Sequence, residues 1–266
     1  MNKSIFANMF VTHKNIRIHY SVTGNGPTLL LLHGFMETSV MWNDYIENLS
    51  QTRHVICVDL LGHGKTENIG YIHCMEDMAK AVYAVLDELN VEKIDCIGHS
   101  MGGYVALALA ELHPELIDDL CLLNSTYEAD DEERKILRTR AAQMATTNFD
   151  TLVRMSFTNL FPESSQIKFK NDFEKALEIG LKTSKQGFIA GHKGMAIRPN
   201  RLDILKKIKG EKVIIIGDKD WIVNKEKIIA DTKNTDIKIE VFSEGHMSYI
   251  ENKSELSYFL KRFSEK

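Results

Sequence analysis

The chain has 266 residues, 44% hydrophobic and 26% charged, the balance of a globular protein with one large domain or two small ones. Lysine and arginine number 33 against 37 aspartate and glutamate; the net charge of -4 excludes a general phosphate-backbone binder, which needs a positive face. No stretch approaches the roughly 18 uncharged apolar residues of a membrane span, and the N-terminal sequence lacks an apolar core of signal-peptide length, so a cytoplasmic protein is expected.

In chain order, residues 10–11 and 16–20 flank a polar His13-Lys14-Asn15 turn and read as a hairpin, ending at Gly24-Asn25-Gly26-Pro27. Residues 28–32, 54–58, 94–97 and 120–123 are apolar or β-branched runs, the pattern of strands covered on both faces. Helical stretches fall between them at 42–49, 75–89 and 104–112; in the second, Met78, Val82, Val85, Leu86 and Leu89 form one apolar stripe. Such alternation builds right-handed crossovers and a mostly parallel sheet. From 127 to about 210 no strand pattern occurs. Asp130-Asp131-Glu132-Glu133-Arg134-Lys135 sets acids before bases, which suits a helix start, and helical patterns follow at 151–160, 167–181 and 202–208. Strand patterns return at 213–216 and 237–242, and an amphipathic helix at 254–263 closes the chain. The expected organisation is an α/β core over 1–126 and 210–266, interrupted by a helical insertion over 127–209 that is too long for a plain connection. Four cysteines (Cys57, Cys74, Cys96, Cys121) are too sparse for a disulfide framework, and three lie in apolar runs where a thiol serves as a small hydrophobe.

The strongest local signal is Gly98-His99-Ser100-Met101-Gly102, followed by Gly103. It sits between a predicted strand and a predicted helix, the strand–turn–helix context of a nucleophile elbow. A serine at the tip of so sharp a turn brings neighbouring backbones close and leaves no room for a Cβ two residues away on either side. Gly64-Lys65-Thr66 looks like the end of a phosphate-binding loop, but position 59 is Asp where that motif needs Gly. No spacing of His, Cys or acidic residues suggests a metal site, and none is expected.

With these landmarks the chain resembles the α/β-hydrolase superfamily nearly end to end. The matching residues are His33-Gly34, Asp59-Leu60-Leu61-Gly62-His63-Gly64, the Ser100 elbow, Gly217-Asp218-Lys219-Asp220 and Gly245-His246, in that family's order. The resemblance implies a twisted, mostly parallel sheet flanked by helices, with the insertion as a helical cap. It also implies a triad. Ser100 is the nucleophile, His246 its base, and Asp220 the orienting acid, on the G-x-x-D-x-x-V spacing from Gly217 to Val223 and in preference to Asp218. The family's alternative acid position holds Asn124 and Ser125 here. The main-chain N–H groups of Phe35 and Met101 are implied as the oxyanion donors. Asn224 departs from the family, where proline is frequent, and puts the stiffness of that loop in question.

Of the other histidines, His13, His19, His54, His73 and His113 read as structural or solvated, and His99 as pointing away from the serine; His192, in the insertion, reads as lining the substrate pocket or, in preference, as a surface residue. Phe157, Phe188 and Met195 are the insertion's candidate substrate contacts. Its other apolar candidates are Met144, Phe149, Met155, Leu160 and Phe161, and abundant Met and Phe suggest an apolar, adaptable acyl site. The expected activity is a cofactor-free serine hydrolase of small to medium acyl esters, carboxylesterase-like, with a small-molecule substrate and neither nucleic acid nor membrane as partner; the oligomeric state is left open. The same triad serves C–C bond, lactone or amide hydrolysis, or an elimination of the menaquinone-pathway type, and the same fold serves ligand receptors. Dehalogenases and epoxide hydrolases use an aspartate nucleophile, which Ser100 excludes.

Overall fold

The computed structural model describes residues 9–265. Eight strands form one sheet in the order β1-β2-β4-β3-β5-β6-β7-β8: β1 (Met9–His13), β2 (Ile16–Thr23), β3 (Thr28–Leu32), β4 (His54–Val58), β5 (Ile94–His99), β6 (Ile117–Leu123), β7 (Lys212–Gly217) and β8 (Lys238–Phe242). β1 and β2 are antiparallel, β2 is antiparallel to β4, and every pairing from β4 to β8 is parallel. The hairpin turns on two residues, Lys14 (φ 49°) and Asn15 (φ 65°), whose left-handed backbone matches the twist of the strands they join.

Residues of the central strands alternate between two apolar clusters because successive side chains leave opposite faces. Leu30, Leu32, Ile56, Val58, Leu122, Ile214 and Ile216 face one side, covered by α2 (Met75–Glu88) and α3 (Met101–Leu112). Leu29, Leu31, Val55, Cys57, Cys121, Val213 and Ile215 face the other, covered by α1 (Asn43–Leu49) and α12 (Lys253–Ser264). This is the doubly covered α/β architecture that the apolar runs imply. Among the described residues no helix is long and apolar enough to cross a membrane.

Between β6 and β7 the chain is helical: α4 (Glu132–Met144), α5 (Phe149–Thr158), α6 (Glu163–Lys168), α7 (Lys170–Gly180), α8 (Lys185–Ala196) and α9 (Leu202–Lys207). The single helix predicted at 167–181 is broken at Phe169 (φ -113°, ψ 30°), which caps α6 and opens α7. The sequence reading passes over α8, because its three glycines, Gly187, Gly191 and Gly194, lower helix propensity by about 1 kcal/mol each. Those glycines share one face, and that face is pressed onto the core. A Cβ on Gly187 would lie 2.2 Å from the Gly62 carbonyl oxygen, and one on Gly194 only 1.7 Å from that of His73. Beyond β7 come α10 (Lys225–Thr232) and the short α11 (Ser248–Glu251).

Candidate active site

β5 passes into α3 through Ser100 alone, and Ser100 takes the strained pair φ 48°, ψ -115°. The surrounding glycines have the steric cause the motif suggests. A Cβ on Gly98 would meet the Gly102 and Gly103 backbone at 2.5 Å, and one on Gly102 would meet the Leu32 carbonyl at 2.5 Å. Ser100 N–H donates to the Leu123 carbonyl (2.9 Å) and the Ser125 hydroxyl donates to the Ser100 carbonyl (2.7 Å), which fixes the elbow against β6.

His246 follows β8 and Gly245, and its ring is buried. Its Nδ1 lies 2.8 Å from Asp220 Oδ2 and its Nε2 lies 3.0 Å from Ser100 Oγ. A carboxylate only accepts, so Nδ1 carries the hydrogen and Nε2 presents its lone pair to the Ser100 hydroxyl. Asp220 Oδ1 accepts from the Ile222 (2.9 Å) and Val223 (3.2 Å) N–H groups, and Oδ2 also accepts from Asn124 Nδ2 (3.2 Å). Burial alone would raise this carboxyl; His246 and the N–H donors outweigh it and hold it below the ordinary aspartate range. Asp218, the competing acid, is turned outward to Lys225 (2.6 Å). Asn124 also donates to the Gly245 carbonyl (3.1 Å), so it ties Asp220 to the loop that carries His246. Asn224 caps α10 by accepting from Lys227 N–H (2.9 Å), a task proline cannot perform, so the family departure has a local purpose.

Phe35 lies in the turn after β3, and Met101 is the first residue of α3, whose N–H therefore lacks an intrahelical acceptor. His33 locks the base of that turn. Its Nδ1–H donates to the Gly34 carbonyl (2.7 Å), its Nε2 accepts from Leu60 N–H (2.9 Å), and burial keeps the ring neutral by lowering its pKa. Met36 has φ 61°, so Met36, Ser100 and Asn124 (φ 45°) place three left-handed, non-glycine residues around one site. Glu37 Oε2 accepts from Gly34 N–H and lies 2.8 Å from His99 Nδ1, while His99 Nε2 lies 3.1 Å from the His246 carbonyl oxygen. The sequence reading missed Glu37. Its one signal is its place in the His33-Gly34 turn, three residues past the glycine.

The helical segment reaches this region through α8. The Phe188 ring lies 5.2 Å from that of Phe35, and the His192 ring 4.7 Å, centroid to centroid. His192 is a correction. It is buried rather than superficial, neither ring nitrogen has a hydrogen-bond partner among the described residues, and burial and then the Arg138 charge push its pKa down to about 3. Phe188 thus meets the Phe35 turn. Phe157 packs against Phe161 and Phe173 (5.7 and 6.2 Å), and Met195 lies in the apolar cluster shared with α2 and α3. The Asp59–Gly64 landmark serves the backbone: Asp59 accepts from Ser39 (2.8 Å) and Lys65 (2.9 Å) N–H groups, and a Cβ on Gly64 would strike its carboxylate at 2.2 Å.

The chain has relatives among known proteins. An uncharacterized protein of Mycobacterium tuberculosis is 34% identical over 116 residues, 44% of this chain and 34% of that one. The pimeloyl-[acyl-carrier protein] methyl ester esterase of Nitrosomonas europaea is 37% identical over 109 residues, 41% of each chain. The chain thus matches between about a third and two fifths of the length of these relatives. A thermophilic esterase from Thermogutta terrifontis superposes with a TM-score of 0.88 over 96% of both chains at 26% identity. The latter two are esterases by name, the sequence profile of the alpha/beta hydrolase fold matches residues 27–253, and the chain belongs to that family.

Proposed function

We propose that the protein is a serine hydrolase of small to medium acyl esters, with Ser100 as nucleophile, His246 as general base and acid, and Asp220 as the orienting acid. The observation that carries this reading is the hydrogen-bonded line Ser100 Oγ–His246 Nε2 (3.0 Å) and His246 Nδ1–Asp220 Oδ2 (2.8 Å). Ser100 Oγ attacks the ester carbonyl as its proton passes to His246 Nε2. Asp220 holds the ring tautomer and offsets the imidazolium that forms. The Phe35 and Met101 N–H groups take the charge on the carbonyl oxygen, His246 returns the proton to the departing alcohol, and water then cleaves the acyl-enzyme by the same route.

Residues 127–209 form the cap in this reading, with α8 resting on the Phe35 turn. Phe188 faces the acyl group, and Phe157 and Met195 support the cap from behind. The contact between the Phe35 and Phe188 rings supports an uncharged acyl substrate.

The test is a chain-length series of p-nitrophenyl esters beside labelling by a fluorophosphonate. Turnover of the shorter esters and label on the Ser100 peptide are expected. Label on another residue, or ester turnover by the purified Ser100→Ala protein, overturns the assignment.

A further inference from the structure

Glu37 and His99 join three parts of the site that are far apart in sequence. Glu37 lies in the Phe35 turn, His99 immediately precedes Ser100, and the carbonyl that His99 meets belongs to His246. Both side chains are buried, at 3% and 1% exposure, so water cannot substitute for a missing partner. A single oxygen of Glu37 serves both Gly34 N–H and His99 Nδ1. Gly34 itself is required by this contact, since a Cβ there would lie 2.6 Å from Glu37 Oε2 and 2.8 Å from His99 Nδ1.

The two neighbours of the His99 ring nitrogens are a carboxylate oxygen and a main-chain carbonyl oxygen. Two acceptors flank one ring, and a neutral imidazole has only one N–H to offer. The contacts are complete when both nitrogens carry hydrogen and Glu37 supplies the counter-charge. We infer that Glu37 and His99 form a buried ion pair that straps the oxyanion turn, the nucleophile elbow and the His246 loop together, with His99 as a positioning residue for ester hydrolysis. This rests on the triad reading above. The electrostatics agree: burial opposes charge on both groups, yet their mutual attraction and hydrogen bond outweigh it, leaving the carboxyl below and the imidazole above their ordinary ranges. The Tyr249 ring, edge-on at 5.8 Å, closes one side of the pair.

The experiment uses the full chain and the near-isosteric Glu37→Gln. The amide oxygen can still accept from Gly34 and from His99 Nδ1–H but no longer balances a ring charge. The neutral ring then turns a lone pair toward the His246 carbonyl and releases that strap. Nitrogen-15 spectra of assigned His99 at pH 7 should show two ring N–H groups in the unaltered protein and one in Glu37→Gln. On p-nitrophenyl acetate, kcat should fall roughly tenfold, the scale of a small misplacement of reacting groups, with KM changed less than about twofold. A single ring N–H in the unaltered protein, or Glu37→Gln with unchanged kcat, overturns the proposal. Failure of the unaltered protein both to cleave the ester and to take fluorophosphonate at Ser100 would instead overturn the triad reading, and the ring spectrum would still decide the ion pair.

Discussion

Ser100 stores strain at the place where the proposed chemistry needs a serine. A non-glycine residue in such a conformation costs about 1–3 kcal/mol, and here the cost is met by the contacts to Leu123 and Ser125 that hold it. Ser100→Ala should abolish ester turnover and leave the far-ultraviolet circular dichroism unchanged. Ser100→Gly should also be inactive, yet melt about 2–4 °C higher, because glycine relieves the positive φ; a lower melting temperature would show that the elbow is not strained. Asn124 allows a second test at the same scale. Asn124→Gly keeps the left-handed backbone but removes the amide that joins Asp220 to the Gly245 carbonyl. The expected loss is roughly tenfold in kcat, from misplacement of His246 relative to Ser100, and unchanged steady-state kinetics would count against a role for this amide.

Among the elements, α8 shows how local propensity yields to packing. Each glycine weakens an isolated helix, but the stripe of Gly187, Gly191 and Gly194 lets the helix axis approach residues 62 and 73 and the Phe35 ring. Two positions of the stripe should respond differently to a methyl group. Gly194→Ala drives a Cβ into the His73 carbonyl, and thermal melts should show a loss of about 1–3 kcal/mol, the usual cost of overpacking. At Gly191 the nearest atom is the Phe35 ring, 2.8 Å from an added Cβ, so the strain falls on the turn proposed to hold the oxyanion. Gly191→Ala should therefore lower kcat for a short ester more than it lowers stability; the opposite ranking would separate α8 from the chemistry.

For the whole molecule, buried neutral histidines set the response to acid. His33, His63, His73 and His192 all have pKa values lowered first by burial, His63 and His192 to about 3. The unfolded chain binds these protons near pH 6.5 and the folded chain does not, so stability falls as pH drops below 6.5, by up to about 1.4 kcal/mol per pH unit for each group. His99 runs the other way. Its raised pKa contributes stability that is complete below pH 6.5 and lost as pH rises through the folded value. The depressed carboxyls of Glu37 and Asp220 contribute stability that is complete above about pH 4.5 and lost only as pH falls below it. The Glu251 carboxyl, raised by burial, runs against the histidines, so denaturant melts between pH 6.5 and 5 report the four histidines against that single opposing group. The unfolding free energy should decline steeply over that window, and His192→Phe should remove one proton's share of the slope; an unchanged slope would contradict the buried, neutral ring.

The strands were legible in the sequence because a strand buried on both faces must be written as an unbroken apolar run, as at Leu29–Leu32 and Val213–Ile216, whereas their order in the sheet came only from the structure. The elbow was legible for a related reason: backbone crowding at Ser100 is local, so its glycines lie within three residues of it. Contacts between distant segments leave no such local trace. The Glu37–His99 pair spans 62 residues and the His99–His246 contact 147, and the burial of His192 depends on rings from another part of the chain. Local backbone preference determined which segments became strands and where the turn at Ser100 falls. Desolvation and non-local packing, which exist only once the chain is folded, decided which charges are paired, which histidines stay neutral and where α8 comes to rest.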